Sequence, residues 1–509
     1  MTSTHHEIVA IGNEKVASAS SKLHDELMKN KTNEQPKPIV RRRSDRERGQ
    51  QTKIQKVPQV LRDEYKGLEK YYDPKWISIG PIHHGNPKFK LAEQKFKFKF
   101  AAKFVENSGQ QSHEQLYKTI MEKIEVLKEC FDEEVLENYF NKKDDHDDES
   151  LGWMLFLDGC FTLQFIYSTV QNELSDLFDI KNDQVAFVFH DFFLLENQIP
   201  YLVLKLLMEN CSKSGGFVNK LQNSILMFLT YSVLTPEKYR KGMMVLPTEM
   251  PVHLLDFLRL LLLQPTHPQK TKRSLSSSLY HYYDNILGCL LPQQLKYKLT
   301  TPPSLDKVVP PQLNAKKNED EQKQQTFRSV MDLKAAGINL NPSKSSSLKD
   351  IRFSSGLFTA DLELPPITVD DSMAPKFLNL IAYEMCPDNT KTKYEVSSYI
   401  SFLDSLIDYP NDVKELRSSH ILHNLLGCDK EVAKLFNEMG KFLVPNHEVY
   451  ENVINEIEKH YHNKCLTWIA QVLNDHFSTP WTIVTFLAAF LALGMSFIQT
   501  YYTIYPMGD

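Results

Sequence analysis

Apolar side chains recur at helical spacing through most of the chain. In 113–140 they are separated by steps of four, four, three, four and four positions, at Leu116, Ile120, Ile124, Leu127, Phe131 and Val135. This spacing places them on one side of a helix, while the acidic and lysine side chains face water. The pattern predicts an amphipathic helix that packs against a core.

The stretch 151–170 is apolar almost throughout, so it fits either a membrane span or a buried core helix. Asp158, Gly159 and Gln164 lie near its centre, where inserting a carboxylate into a bilayer costs about 2.5–3.5 kcal/mol. We therefore predict a buried core helix. Further helices are predicted at 192–208, 221–234 and 252–263, from Asp370 or Asp371 through Met385, and at 396–407, 430–442 and 447–477.

The chain changes character after residue 476. No charged side chain occurs from Phe477 to Gly508, and about 22 predominantly apolar positions run from Trp481 to Tyr502. At about 1.5 Å per residue this length crosses a ~30 Å hydrocarbon layer. A buried core helix is the alternative, but core helices are rarely apolar on every face. We predict a single transmembrane helix at 481–503.

Three features favour a cytosolic body. The N-terminal segment is polar and lacks the apolar core of a signal peptide. Few residues follow the span, as in tail-anchored proteins, and Lys459 and Lys464 precede it while no Lys or Arg follows. We expect a single-pass protein at the plasma membrane or an endomembrane, with its body in the cytosol.

Two segments depart from the helical pattern. The stretch 300–326 is polar and contains Pro302, Pro303, Pro310 and Pro311, which predicts a flexible insertion. After it, apolar positions alternate around Gly356, at Ile351, Phe353, Leu357, Leu362 and Leu364. This alternation predicts a small β-hairpin.

Charge divides the chain into unlike parts. Residues 1–56 hold 12 Lys/Arg and 7 Asp/Glu, a net charge of +5, and few aliphatic side chains that could offset the entropy of ordering. Because the 509-residue chain carries −5 in total, the remainder carries −10. The predicted fold is mainly α, with a disordered basic tail at 1–56, a large multi-helix body with a small β-hairpin at 57–476, and the transmembrane helix at 481–503.

Cysteine usage and charge narrow the functional class. The seven cysteines are odd in number and form no C-x-x-C pair, which argues against a disulfide framework or zinc site and favours a reducing compartment. The near-neutral total gives no reason to expect a nucleic-acid partner. The basic run from Arg41 to Arg48 fits either a nuclear-import or phospholipid patch or a solvated charge run, and Asp45 and Glu47 favour the latter.

Two candidates for chemistry carry a histidine or a cysteine. His83 and His84 follow Gly80-Pro81 in a turn-like segment, and adjacent side chains on an extended backbone point to opposite sides, so they do not share a metal site. Asp158 beside Cys160 suggests a nucleophile with an orienting acid. No partner histidine is evident, and burial raises the pKa of a thiol. A structural role is favoured for both.

A third candidate is the polar triplet Glu196-Asn197-Gln198, which interrupts an apolar stretch. Buried polar groups need hydrogen-bond partners, so the triplet either joins a helix end to a neighbouring loop or lines a ligand site. The first interpretation is favoured. We therefore predict no catalytic, cofactor-binding or metal-ligating residue.

Known sequence signatures of enzymes are missing. The chain has no G-x-x-x-x-G-K-[ST], G-x-G-x-x-G, G-x-S-x-G or H-E-x-x-H, and the acidic run 144–149 lacks the frame of a calcium loop. These absences remove the usual evidence for nucleotide hydrolysis, dinucleotide redox chemistry, α/β-hydrolase and zinc protease activity. We predict no cofactor.

A series of blocks, taken in order, resembles the plant domain-of-unknown-function 247 family. The blocks are Val57-Pro58 with Leu61-Arg62, Tyr72 and Pro74, then 77–85, 154–161, 191–200, 332–337, 364–371, 379–384, 398–407 and 477–481. One departure is Leu91-Ala92-Glu93-Gln94-Lys95, where family members usually show Met-Glu-x-x-Lys, and the basic tail has no counterpart.

The resemblance implies a plant membrane-associated protein with a mostly helical body, a C-terminal span and no established enzymatic activity. Some relatives are implicated in self-incompatibility in grasses, which suggests recognition or signalling. We therefore expect a membrane-anchored protein that recognises a protein partner. The alternative hypothesis is an unrecognised enzyme with a pocket near His83, Asp158 or Glu196.

Overall fold

The computed structural model describes residues 52–64, 67–109, 113–141, 147–178, 180–212, 216–240, 243, 246–264, 329–356, 359–389, 392–462 and 480–504. The predicted basic tail, except for residues 52–56, and the 300–326 insertion lie outside these residues. The described chain is mainly helical with few short strands, which confirms the predicted fold class.

All described regular elements before residue 265 are helices. These helices are α1 (Gln59–Glu64), α2 (Lys90–Ala92), α3 (Phe98–Ser108), α4 (His113–Met121), α5 (Ile124–Glu129), α6 (Glu133–Phe140), α7 (Asp148–Val170), α8 (Leu174–Phe178), α9 (Asn182–Asp191), α10 (Tyr201–Glu209), α11 (Phe217–Ser232), α12 (Glu237–Arg240) and α13 (Leu254–Leu263). A 3-10 turn spans Glu69–Tyr71, and a π-helical segment, Glu93–Lys97, joins α2 to α3.

Helix α7 is the centre of this half. Its first turn is closed by a capping box, in which Asp147 accepts a hydrogen bond from Ser150 N at 2.8 Å and Ser150 Oγ accepts one from Asp147 N at 3.0 Å. Helices α3, α4, α10 and α11 pack around it, so most of its side chains are buried. The prediction of a core helix instead of a second span is confirmed.

The prediction of one continuous helix at 113–140 is wrong. The stripe is buried as predicted, but it is divided among α4, α5 and α6. The break before α6 has a long-range cause: Ile54 N donates to Cys130 O at 2.8 Å, and Asp132 N donates to Ile54 O at 3.0 Å. Asp132 then caps α6 by accepting from Glu134 N at 2.9 Å.

The helix predicted at 192–208 also begins later, at Tyr201. Residues 192–200 form a non-helical loop between α9 and α10. Amide side chains of the loop satisfy carbonyls near the end of α9, since Asn197 Nδ2 donates to Asp191 O at 2.9 Å and Gln198 Nε2 to Phe192 O at 2.8 Å. These bonds stabilise the loop in place of further helix.

After residue 328 short strands are added to the helices. The elements are α14 (Val330–Ala335), β1 (Ile338–Pro342), β2 (Arg352–Ser355), β3 (Ala360–Leu364), β4 (Ile367–Val369), α15 (Met373–Glu384), α16 (Glu395–Asp404), α17 (Pro410–Ser418), β5 (Leu422–Asn424), α18 (Asp429–Met439), α19 (Glu451–Tyr461) and α20 (Pro480–Ile504). Two 3-10 turns, Gly440–Phe442 and His447–Val449, precede α19.

The predicted hairpin is present as the antiparallel pair β2–β3, with Phe353 opposite Leu362. Two features were not predicted: β1 adds to β3 in parallel, giving the order β1-β3-β2, and β4 pairs in parallel with β5. Ser372, not Asp370 or Asp371, occupies the N-cap of α15, and Asp370 Oδ1 accepts from Ser372 N at 2.8 Å.

The body has one continuous buried apolar cluster, which runs from Ile54 to Ile457 and joins both halves. Helix α20 differs, because none of its apolar window Val484–Tyr501 is buried. This window is long and apolar enough to cross a membrane, in agreement with the predicted position of the span. Of the helix predicted at 447–477, α19 is seen and residues 463–477 lie outside the described part.

Candidate functional site

The backbone from Lys75 to Gly80 is held by side chains instead of by other backbone. Asp191, at the end of α9, accepts hydrogen bonds from the N–H groups of Lys75, Trp76 and Ile77 at 2.8, 2.8 and 2.9 Å. Burial raises the pKa of this carboxyl to about 6, although the three N–H donors act in the opposite direction. Asp191 therefore serves as a backbone anchor.

Two further side chains continue this arrangement. Asn197 Oδ1 accepts from Ile79 N at 2.7 Å, and Asp158 Oδ2 accepts from Gly80 N at 2.8 Å. Asn197 Nδ2 also donates to Ile77 O at 3.2 Å. We call Asp158, Asp191, Glu196 and Asn197, which surround the 75–85 segment, the loop cluster.

Gly80 is required where this segment meets the 192–200 loop. Its φ is +77°, and a Cβ atom there would lie 2.2 Å from Gln198 O, far inside van der Waals contact. The glycine of the Gly80-Pro81 pair, which predicted a turn-like segment, therefore permits a close backbone approach.

A lysine supplies the charge partner of Asp158. Lys97, on the π-helical segment, places Nζ 2.5 Å from Asp158 Oδ1 and 3.8 Å from Glu93 Oε1, and Lys97 and Asp158 are both buried. Burial raises the pKa of Asp158, whereas the Lys97 ammonium lowers it. Glu93 also accepts a hydrogen bond from the Ser78 hydroxyl. The charges of this group are thus used within the fold.

Glu196 lies at the other side of the same segment. It accepts from Val57 N at 2.9 Å and from Arg62 Nη2 at 2.9 Å, and His83 Nε2 lies 3.4 Å from Oε2. Burial alone would raise the pKa of Glu196, but the His83 hydrogen bond and the Arg62 charge lower it below its ordinary value. Glu196 therefore ties the start of the body and the His83 turn to the 192–200 loop.

Asp73, His83 and Glu196 form one group with metal-ligating potential, because one donor atom from each lies within 4.8 Å of the others. The Arg62 guanidinium already bridges this group, donating to Asp73 Oδ1 at 3.1 Å and to Glu196 Oε2 at 2.9 Å. A divalent cation would have to displace that fixed positive charge. The geometry favours an ion-pair cluster, and the prediction that no metal binds stays a prediction.

The remaining candidates, Cys160 and His84, are not members of the loop cluster. Cys160 is a fully buried free thiol whose pKa is raised well above its ordinary value by burial. Asp158 contacts Lys97 and Gly80, so its carboxylate is already used in holding the fold. His84 lies with its ring centroid 5.7 Å from that of Tyr139, while His83 faces Glu196. The two histidines thus have different surroundings.

The sequence pattern did not predict a second polar cluster. Arg259 in α13 places Nη2 2.8 Å from Glu395, Nε 3.4 Å from Glu384 and Nη1 3.7 Å from Asp256. All four side chains are buried, and we call them the arginine cluster. Its signal in the sequence was the pair Asp256 and Arg259, three positions apart in an otherwise apolar helix.

The arginine cluster also holds backbone. Glu384, at the end of α15, accepts from Val396 N at 3.0 Å and Ser397 N at 2.8 Å, at the start of α16. Lys349 Nζ lies 3.2 Å from Glu395 and adds a partly exposed positive charge. The cluster therefore joins α13, α15 and α16.

A half-buried lysine in α15 is a further group without a sequence signal. Lys376 Nζ donates to Ser232 O at 2.8 Å and to Ser372 Oγ at 3.0 Å. Burial lowers its pKa to about 8. These bonds join α15 to the end of α11.

The polar clusters place this chain among mainly helical proteins in which buried charged side chains anchor segments of backbone. A family model described as a plant protein of unknown function, DUF247, matches residues 54–495. The chain belongs to this family, as the resemblance of its blocks predicted.

Two curated relatives from Arabidopsis thaliana support this assignment. The UPF0481 protein At3g47200 is 27% identical over 447 residues, covering 85% of this chain and 82% of its own. The putative UPF0481 protein At3g02645 is 21% identical over 482 residues, covering 85% of this chain and 87% of its own. No solved structure matches the chain significantly.

Proposed function

We propose that this chain is a single-pass membrane-anchored protein whose helical body recognises another protein at the membrane surface. The observation that carries the proposal is α20, whose window Val484–Tyr501 is predominantly apolar, has no charged side chain and is not buried. Phe490, Leu491 and Leu493 are 67%, 65% and 71% exposed. A continuous apolar surface of this kind is stable in hydrocarbon and unfavourable in water.

Orientation follows from the flanking charge. Lys459 and Lys464 precede α20 in the sequence, and basic residues near a span are enriched on the cytosolic side. The body accordingly faces the cytosol.

Recognition is proposed over catalysis because the candidate chemical groups have structural partners. Asp158 binds Lys97 and Gly80, and Glu196 binds Arg62 and Val57. A catalytic carboxylate would have to exchange these bonds for substrate. The arrangement therefore supports the structural role that the sequence favoured for Asp158 and Glu196.

The span is tested by alkaline extraction and protease protection of the full chain carrying a tag at each end. We expect the chain to stay in the membrane pellet and the body tag to be digested from the cytosolic side. Leu491→Arg should release the chain, because a centred arginine costs about 2.5–3.5 kcal/mol. Val126→Arg, at a body position that is 46% exposed, is the matched control and should not.

Recognition is tested by proximity labelling with the anchored chain. The control is a reporter that carries only residues 477–509. Proteins enriched by the full chain and absent with the control would support recognition. Identical sets of neighbours would contradict it while leaving the anchor intact.

A further inference from the structure

One segment of the body differs in charge from the rest of it. Residues 74–105 contain seven lysines and a single acidic residue, Glu93, so the segment carries +6. Because residues 57–509 together carry −10, those of them outside this segment carry −16. Glu93 itself is used within the fold, where it faces Ser78 and Lys97. The segment therefore adds positive charge to a body that is otherwise strongly acidic.

Helical geometry brings several of these lysines to the surface. The helix runs without interruption from Lys90 to Ser108, through α2, the π-helical segment and α3. Phe96, Phe100 and Phe104 are buried, and α3 packs on α7. The lysines of 88–99 that stay exposed or half-buried, which we call the lysine patch, are Lys88, Lys90, Lys95 and Lys99.

The lysine patch has no acidic partner. None of its four ammonium groups lies within 4 Å of a carboxylate in the described part of the chain, whereas Lys97 and Lys103 of the same helix pair with Asp158 and Glu106. Like charges that crowd one side of a helix destabilise it. An anionic partner would remove this repulsion.

An exposed leucine lies among these lysines. Leu91 is 77% exposed, the largest fraction of any large apolar side chain described outside α20. Lys88 lies three positions before it and Lys95 four positions after it, the spacing of neighbours on one side of a helix. An apolar side chain ringed by ammonium groups matches the boundary between anionic headgroups and acyl chains.

The chemistry of the patch separates a lipid surface from other anionic partners. Residues 74–105 contain no arginine, so the patch lacks the planar fork that binds phosphate in fixed bidentate geometry. Ammonium groups on flexible stems suit a diffuse layer of negative charge instead. A nucleic acid backbone offers charge without hydrocarbon, whereas a bilayer offers both at one surface. Leu91 therefore favours the bilayer.

We propose that the lysine patch and Leu91 dock the body on anionic lipid headgroups of the membrane that α20 spans. Residues 463–479 separate the described part of the body from α20, and a chain of that length extends at most about 60 Å. The body is thus held close to the membrane, where individually weak contacts are sufficient. Anionic lipids are enriched in the cytosolic leaflet. The proposal rests on the membrane span proposed above and adds a lipid contact of the body.

A fluorescent probe at position 91 tests this contact in the full chain reconstituted into vesicles. Leu91→Cys is labelled with nitrobenzoxadiazole after the replacement of Cys289, Cys428 and Cys465 by serine. Emission should rise about threefold when the vesicles contain phosphatidylserine beside phosphatidylcholine, compared with phosphatidylcholine alone. Nitroxides on the acyl chains should quench this emission. High salt should reverse the rise, because it screens the attraction between lysines and headgroups.

Val126→Cys, labelled in the same background, is the matched control. Val126 is 46% exposed and lies in α5 directly after Glu125. Its emission should be the same with and without phosphatidylserine. An equal rise at positions 91 and 126, or no rise at position 91, would overturn the proposal.

Charge reversal tests whether the lysine patch causes the response. Lys90→Glu together with Lys95→Glu should abolish the effect of phosphatidylserine on the probe at position 91. Lys118→Glu together with Lys434→Glu changes the net charge equally at exposed positions outside the patch and should retain the effect. Because all four positions are exposed, both variants should unfold at the denaturant concentration of the parent. Equal loss of the response in both would assign it to total charge and contradict the proposal.

Alkaline extraction of the same chains separates this proposal from the anchor itself. A chain that is extracted from the membrane would overturn both proposals. An inserted chain whose probe at position 91 stays in water with either lipid would overturn only the docking of the body. Binding of an oligonucleotide or an acidic peptide that requires Lys90 and Lys95, with no response of the probe to phosphatidylserine, would replace the lipid surface by that partner.

Discussion

The loop cluster and the arginine cluster both bury carboxylates, but they use them differently. In the loop cluster, Asp158, Asp191 and Asn197 mainly accept backbone N–H groups of one irregular segment. In the arginine cluster, three carboxylates surround one guanidinium and join separate helices. Irregular backbone without ladder partners needs side-chain acceptors. In the arginine cluster the carboxylates also accept backbone N–H groups near helix starts, as Glu384 does from Val396 and Ser397, but they share one guanidinium as well.

The two clusters are physically connected. Gln198, in the loop beside Asn197, accepts from Leu255 N at 3.3 Å at the start of α13, one helix turn before Arg259. The comparison therefore concerns two modes of stabilisation within one core, and each mode predicts a different response to mutation.

The largest effect is expected at the arginine cluster. Arg259→Met would leave Asp256, Glu384 and Glu395 buried without their shared countercharge, which should cost about 3–5 kcal/mol of unfolding free energy. Denaturant unfolding of the full chain in detergent measures this loss.

Arg352→Met is the matched control, because Arg352 is exposed and pairs with Asp350 at 2.6 Å. The control should cost less than about 1 kcal/mol. Similar losses of unfolding free energy in both variants would show that the buried arginine contributes no more to stability than the exposed one.

The next effect concerns the backbone shape at Gly80, in the segment that the loop cluster holds. Gly80→Ala places a Cβ at φ +77° and 2.2 Å from Gln198 O, so strain and displacement of backbone should together cost about 3 kcal/mol. Gly85→Ala has a similar φ of +75° with no atom within 4 Å and should cost about 1 kcal/mol. Equal losses would mean that the close approach to the 192–200 loop is not important.

The sequence predicted which side chains are buried better than it predicted which residues they contact. The apolar stripe at 113–140 identified the buried side chains, but the break before α6 depends on the pairing of Ile54 beside Phe131, far away in the chain. Asp158 was predicted to lie in a buried core helix, because a carboxylate near the centre of the apolar run argues against a membrane span. Its partner Lys97 was not predicted, because Lys97 lies on a π-helical segment, where side chains do not follow the period of an α-helix.

Long sequence separation explains the rest. Glu384 and Glu395 lie 125 and 136 positions from Arg259, and no local pattern connects them. The β4–β5 pair has only three residues in each strand, too few for alternation to be recognised. In contrast, Glu196, Asn197 and Gln198 stood out because three polar residues occurred together between apolar neighbours.

A pH effect should follow from His253, which caps α13 next to the arginine cluster by accepting from Asp256 N at 3.1 Å. Burial lowers its pKa from 6.5 to about 3. The unfolded chain therefore binds one more proton between these values, and stability is lost as pH falls from about 6.5 toward 3.

His253→Asn keeps a cap acceptor without a titrating ring. The unfolding free energy of this variant should fall about 2 kcal/mol less than that of the parent between pH 6.5 and 4.5. His447→Asn, at an exposed position, is the control and should leave the pH dependence unchanged. An unaltered pH dependence in His253→Asn would contradict the assignment to His253.

The smallest effect asks whether the loop cluster needs charge at all. Glu196→Gln keeps an acceptor for Val57 N but removes the negative charge that Arg62 and His83 face, so it should cost about 1.5 kcal/mol, the value of one charged hydrogen bond. Asp73→Asn removes the more exposed partner of Arg62, since the Asp73 side chain is 55% accessible, and should cost less than about 0.5 kcal/mol.

Thermal unfolding with and without added Zn²⁺ adds a second readout. If Zn²⁺ stabilises the parent chain but neither variant, the group is a cation site and not the ion-pair cluster inferred from Arg62. If Zn²⁺ changes nothing and only Glu196→Gln is destabilised, the buried carboxylate acts through Arg62 and the backbone, as the geometry requires.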